Sequence, residues 1–108
     1  MATRIRTEAE LEAALAAPRF LLFKHSSTCP ISAAAFEEYE EWLASAPGLP
    51  SGWLNVVAER PLARAVAERT GVPHESPQAL LLAGGRCLWN ASHGAITVDS
   101  LQAALARG

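Results

Sequence analysis

Four apolar residues in a row, Phe20-Leu21-Leu22-Phe23, constrain this chain more than any other segment. Alternating apolar and polar residues would let one face of a strand meet water, whereas an unbroken run reads as a strand covered on both faces. A strand of that kind requires helices on either side of its sheet. The flanking sequence supplies them. Thr7-Glu8-Ala9-Glu10 forms a capping box, Leu11 and Leu15 share a face four residues apart, and a helix is expected over 8–16, stopped by Pro18.

A second helix is expected to begin after Cys29, with Pro30 at its first position, where a missing N–H costs nothing. Ala35/Phe36, Tyr39, Trp42/Leu43 and Ala46 recur three to four apart, with Glu37, Glu38 and Glu41 off that stripe. Pro47-Gly48-Leu49-Pro50-Ser51-Gly52 reads as a loop and 53–57 as the next strand. Pro61 opens a third helix with Leu62, Ala65 and Val66 on one face, and Gly71 is its natural stop. Two strands, 79–82 and 87–91, then flank Gly84-Gly85 as a hairpin. Thr97 caps a last helix packed through Val98, Leu101 and Leu105, and 3–6 can add a short edge strand. The expectation is one α/β domain spanning 1–108, a mixed sheet of four or five strands flanked by four helices. That order of elements matches the thioredoxin fold.

Half of the 108 residues are hydrophobic, enough for a core without staples. The formal charge is -2 and no basic block is present, which argues against a nucleic-acid partner. No apolar run can cross a bilayer, and Met1 to Glu12 lacks the apolar core of a signal peptide, so a cytoplasmic protein with no membrane association is expected. Two cysteines, Cys29 and Cys87, and three scattered histidines make no zinc motif, so no metal site is expected. Trp42, Trp53 and Trp89 read as core or groove aromatics.

Cys29 falls between a buried strand and a helix, at the carboxyl edge of the sheet where α/β folds place their ligands. Free N–H groups of Ile31 and Ser32 would point at the sulfur, and the positive helix end favours a thiolate there. The bland reading is that Cys29 is a small buried hydrophobe, as most free cysteines are. Three residues on, where a dithiol enzyme carries its resolving cysteine, stands Ser32. Its hydroxyl can hydrogen-bond a thiolate and cannot form a disulfide, which implies a monothiol mechanism. Cys87, just past the hairpin turn, would lie roughly 15–25 Å from the active-site end at strand rise, beyond the ~7 Å that bridging allows.

Pro77, in Glu75-Ser76-Pro77-Gln78, is expected to form the second wall of the site. In this fold that position carries a cis-proline beside the sulfur, and Ser76 before it offers backbone groups to a substrate. Lys24, the only lysine among nine basic residues, ends the strand leading to Cys29. It can support a thiolate or attract an acidic thiol, or it can be a solvated strand-end charge. His25 and His93 can act as acid or base, though nothing in the spacing fixes their distance from the sulfur.

The segment Phe23-Lys24-His25-Ser26-Ser27-Thr28-Cys29-Pro30-Ile31-Ser32-Ala33-Ala34 resembles the active-site segment of the YtxJ-type monothiol bacilliredoxins, with their T-C-P-I-S motif. The likeness continues through Glu59-Arg60-Pro61-Leu62, Thr70-Gly71-Val72, the block His74-Glu75-Ser76-Pro77-Gln78-Ala79-Leu80-Leu81, Trp89, Ala91-Ser92-His93 and Ile96-Thr97. Gly94-Ala95 departs from it, standing where many relatives are expected to carry a bulkier aromatic and an acidic residue. The resemblance implies that Cys29 attacks protein–bacillithiol mixed disulfides, supported by Lys24, Pro30, Ile31 and Ser32. Thr28, Ser76, Pro77, Ser92 and His93 would then contact substrate. No tightly bound cofactor is implied; bacillithiol is the thiol co-substrate. Expected partners are bacillithiolated client proteins, bacillithiol and a bacillithiol-disulfide reductase, with the protein itself a monomer. The rival readings are a glutathione-dependent glutaredoxin-like protein or iron–sulfur carrier, and a non-enzymatic redox-sensing or docking module.

Overall fold

The computed structural model describes residues 2–45 and 47–107. At its centre is the strand expected from the apolar run, β2 (Phe20–His25), two residues longer than the run itself because Lys24 and His25 continue the pairing. It lies between β3 (Ser51–Asn55), parallel to it, and β4 (Gln78–Ala83), antiparallel to it. β1 (Thr3–Arg4) adds to β3, and β5 (Arg86–Ser92) pairs antiparallel with β4, completing a mixed sheet in the order β1-β3-β2-β4-β5. Gly84 and Gly85 turn the hairpin with φ of 56° and 84°, a left-handed pair that glycine adopts without strain.

Two helices cover each face. Leu11, Ala14 and Leu15 of α1 (Glu8–Ala16) and Leu62, Ala63 and Val66 of α3 (Arg60–Thr70) pack on Leu22, Leu54, Leu80 and Leu82. Ala35, Tyr39 and Trp42 of α2 (Pro30–Ala44) and Leu101 and Ala104 of α4 (Val98–Leu105) pack on Leu21, Phe23, Ala79 and Leu81. Both capping boxes form: Thr7 accepts from the Glu10 amide, and Thr97 from the Ser100 amide. Gly71 ends α3 at φ 75°. Ala46, placed on the α2 stripe by its spacing, lies outside the described residues. Arg19 donates to the carbonyls of Leu105 and Arg107 and so holds the C-terminal end of α4 against the start of β2.

The third strand is displaced from its expected span of 53–57. Ser51 and Gly52, turn-formers by composition, are strand residues because each meets a specific need of the packing. Ser51 Oγ donates to the Leu21 carbonyl and accepts the Tyr39 hydroxyl hydrogen in the core. A Cβ on Gly52 would lie 2.8 Å from the Thr3 carbonyl oxygen, so only glycine lets β1 approach. Val56 and Val57 leave the sheet because the Asn55 side chain accepts the Val57 N–H and closes a turn.

Candidate active site

Cys29 is the N-cap residue of α2, partly exposed, with extended backbone (φ -112°, ψ 121°). No side chain caps this helix, which leaves its first-turn N–H groups without a side-chain acceptor. Pro30 occupies the first helical turn, where its fixed φ suits the helix. Ile31 is 54% exposed, a large apolar side chain beside the sulfur.

Ser32 is fully buried, and its hydroxyl is engaged away from the thiol. Ser32 Oγ accepts the Ser26 N–H at 2.8 Å and shares a hydrogen with His25 Nδ1 at 2.8 Å. Ser26 and His25, and not the Cys29 thiol, are the partners of the Ser32 hydroxyl here. The hydroxyl fixes the 25–29 turn, because a buried amide left without an acceptor would be costly. His25 stacks on Phe36 with ring centroids 4.4 Å apart, and burial holds its imidazole below the ordinary range. Glu40 opposes that shift and Arg4 adds to it.

Lys24 departs from the solvated reading entirely. It is 0% exposed, its Nζ has no hydrogen-bond partner, and burial depresses its ammonium to about 8, with Glu75 opposing. It lies opposite Gln78 in the β2–β4 ladder. Strand alternation turns both toward the face covered by α3, the side of Leu22 and Leu80. Gln78 Nε2 donates to the Pro73 carbonyl, leaving its Oε1 also unpartnered.

The second wall is in place. The Ser76–Pro77 bond is cis, Pro77 is buried, and its carbonyl accepts the His93 N–H at 3.1 Å. His93, at φ 56°, begins a single 3-10 turn (His93–Ala95) after Ser92 and lies 3.6 Å from the Glu75 carboxylate. Ser92 pairs with Gln78 at the same end of the sheet.

Two depressions lie at the start of α2, and Cys29 lines the first of them. One, about 540 Å³, is lined by Ser26, Thr28 and Cys29 on one side and by Val57, Arg60, Arg64, His74 and Ser76 on the other. The second, about 530 Å³, lies between Pro30–Ile31 of α2 and the His93–Thr97 segment. The structure thus brings together Cys29, Thr28 and Ser76 in one cleft and Pro30, Ile31 and His93 in the other. Arg60, Arg64 and His74 were absent from the expected site. Two arginines four apart at a helix start are the signal that could have found the first two. Among the described residues no group of three His, Cys, Asp or Glu side chains could hold a metal ion, and no helix is long and apolar enough to cross a membrane.

Cys87 sits opposite Leu82 beside the hairpin turn, at the far end of β4 from Gln78. Four strand steps separate Gln78 from Leu82, about 13 Å at strand rise. Both cysteines are free; burial pushes the Cys87 thiol up, and its Sγ lies 3.2 Å from the Trp89 carbonyl oxygen.

With this geometry, the model of the family Monothiol bacilliredoxin BrxC matches residues 3–101. The chain belongs to the monothiol bacilliredoxin family. Among solved structures, this bacilliredoxin is similar to a candidate oxidoreductase with a thioredoxin fold: 36% identity over 95% of this chain and 92% of that one, TM-score 0.87. A mutant thioredoxin from Halobacterium salinarum matches at 19% identity (96% and 87% covered, TM-score 0.76). The Malassezia sympodialis thioredoxin matches at 13% (97% and 88% covered, TM-score 0.78). These last two establish the thioredoxin fold alone. The family and the fold together make thiol redox chemistry the business of this bacilliredoxin.

Proposed function

We propose that the protein removes bacillithiol from protein mixed disulfides, with Cys29 as the only working thiol. What supports this reading is the isolation of Cys29. It stands at an uncapped helix N-terminus on the rim of a cleft, with Ser32 where a resolving cysteine would be and Cys87 at the other end of the sheet. The Cys29 thiolate attacks the bacillithiol sulfur; the client thiolate leaves and takes up a proton, and bacillithiol remains on Cys29. A second bacillithiol thiolate attacks that same sulfur, releasing Cys29 and oxidised bacillithiol, which a bacillithiol-disulfide reductase can recycle. Each exchange forms one S–S bond and breaks one, so no tightly bound cofactor is needed. Pro77 and Ser76 form the wall against which the disulfide is presented, with Thr28, Ser92 and His93 around it.

The decisive experiment is incubation with a bacillithiolated client followed by intact mass of both proteins. The client should lose one bacillithiol and Cys29 should gain it. Cys29→Ser should abolish transfer and Cys87→Ser should retain it. Oxidised bacillithiol should leave a single adduct, on Cys29. A stable Cys29–Cys87 bridge within one molecule would overturn the monothiol assignment, and turnover with glutathione but not bacillithiol would overturn the co-substrate.

A further inference from the structure

The two depressions at the start of α2 have opposite electrostatic character. The one beside α2 is lined by Glu37 and Glu38 together with apolar Pro30, Ile31 and Ile96. The one beside α3 carries Arg60 and Arg64, one turn apart on the same helix, and His74 across from them. Glu59 lies 3.6 Å from Arg4, and Glu75, 3.6 Å from His93, is the carboxylate whose charge acts on Lys24 and His74. Among the described residues Arg60 and Arg64 make no ion pair within 4 Å, so their guanidinium groups are available to a ligand.

Three further features point the same way. Lys24 is wholly buried with no hydrogen-bond partner for its ammonium, on the sheet face that α3 covers; burial first and then its charge lower the His74 imidazole in the cleft wall, with Glu75 opposing. Ser76 Oγ, in the same wall, is also without a hydrogen-bond partner. Finally, α3 begins at the cleft without a side-chain cap or an acidic residue in its first turn, as does α2. The N-cap residue of α3 is Glu59, whose carboxylate offsets that helix end, so the positive end at the cleft is that of α2. Val56, Val57 and Ala63 give the cleft apolar flanks suited to a small organic body.

We propose that this cleft seats the low-molecular-weight half of the mixed disulfide and selects thiols that carry carboxylate groups, with Arg60 and Arg64 as the anion-binding residues. The inference deepens the proposed function and rests on Cys29 exchanging with a small thiol. Bacillithiol, whose malyl end bears two carboxylates, has the required chemistry; a phosphate-bearing thiol such as coenzyme A shares the negative charge. The anion lies over Arg60 and Arg64 while the sulfur meets Cys29, and the acidic depression beside α2 repels it. Small-thiol and client halves are thereby directed to opposite sides of the sulfur.

The test uses synthetic disulfides of graded charge: dianionic dithiobis(nitrobenzoate), neutral dithiodipyridine and dicationic cystamine. The readout is the ratio of second-order rate constants for mixed-disulfide formation at Cys29. The Arg60→Gln/Arg64→Gln double variant should lower the dianion-to-neutral ratio about tenfold, within the range of electrostatic steering. Raising salt should lower it in the wild-type protein. Arg86→Gln, a charge-matched change at the hairpin end of the sheet, should leave the ratio as it was. A double-variant ratio within about twofold of wild type, or cystamine reacting as fast as the dianion, would overturn the proposal. Oxidised bacillithiol and oxidised coenzyme A in competition distinguish the carboxylate from the phosphate source; faster reaction with coenzyme A would overturn the carboxylate assignment. The two readings fail separately. Bacillithiol transfer with no charge selectivity would sink only the subsite, whereas charge selectivity without bacillithiol transfer would sink only the proposed function.

Discussion

Lys24 is the residue whose sequence context and structural setting differ most. Written after four apolar residues and before His25, it looks like a strand end meeting water; in the fold it is wholly enclosed. Burial, partly opposed by Glu75, lowers its affinity for a proton from 10.5 to about 8, a difference equivalent to about 3 kcal/mol against the charged form. Between those two values the unfolded chain still holds the proton that the folded chain has released. Lysine 24 therefore makes stability rise with pH across that window, and its penalty is full below pH 8. Lys24→Met should stabilise the protein by ~1–3 kcal/mol at neutral pH, with the gain shrinking as pH climbs from 8 toward 10.5. Urea midpoints of both proteins measured over that range test this. The Tyr39 phenol and Cys87 thiol, raised by burial, act with the opposite sign but equally in both proteins, so they cancel in the difference. A gain that is flat with pH would mean that Lys24 is solvated in the folded state. A buried ammonium that no partner offsets is poor design for stability, which agrees with its place behind the cationic cleft.

At the level of elements, the sequence conveyed type and order well and misplaced the boundaries where tertiary contacts decide. Helix caps were legible because Thr7 with Glu10, Thr97 with Ser100, and Gly71 act within a few residues of themselves. The start of β3 was not, because the roles of Ser51 and Gly52 depend on Tyr39 and Thr3, distant in the chain. The site divides the same way. Cys29 and Ser76–Pro77 announce themselves through helix-start and strand-start chemistry. Arg60 and Arg64 are legible as a pair one turn apart, but their place beside Cys29 shows only once α3 is laid beside the 25–29 turn, and the bonds of the Ser32 hydroxyl only once the turn brings Ser26 and His25 within its reach. The β1 edge gives a direct test of the Gly52 argument. Gly52→Ala sets a Cβ against the Thr3 carbonyl, and the backbone has to move. The cost should be about 1–3 kcal/mol, with loss of amide-exchange protection at Ile5, whose N–H donates to the Trp53 carbonyl at 2.7 Å. Unchanged protection there would show that β1 tolerates the methyl group.

For the molecule as a whole, β2 and β4 contribute side chains to both hydrophobic layers, so neither layer can melt alone. Leu22→Ala in the α1/α3 layer and Leu81→Ala in the α2/α4 layer each remove a fully buried side chain. Each should cost about 2–5 kcal/mol and shift one common unfolding transition, seen alike by tryptophan fluorescence and far-ultraviolet circular dichroism. Two separated transitions would show that the layers are independent. The same shared strands have a consequence for what the protein can accept. β2 and β4 stay hydrogen-bonded up to Lys24 and Gln78, and two walls around Cys29, the 25–29 turn and the Ser76–Pro77 segment, spring from that last rung. Neither wall can swing without unzipping the centre of the sheet. The gap beside the sulfur is thus a fixed gauge rather than a jaw. If the proposed function holds, a client whose modified cysteine lies on a thin, protruding segment would fit it at once. One whose cysteine is recessed would have to expose it unaided, so the mobility of the damaged protein would decide which lesions are repaired first.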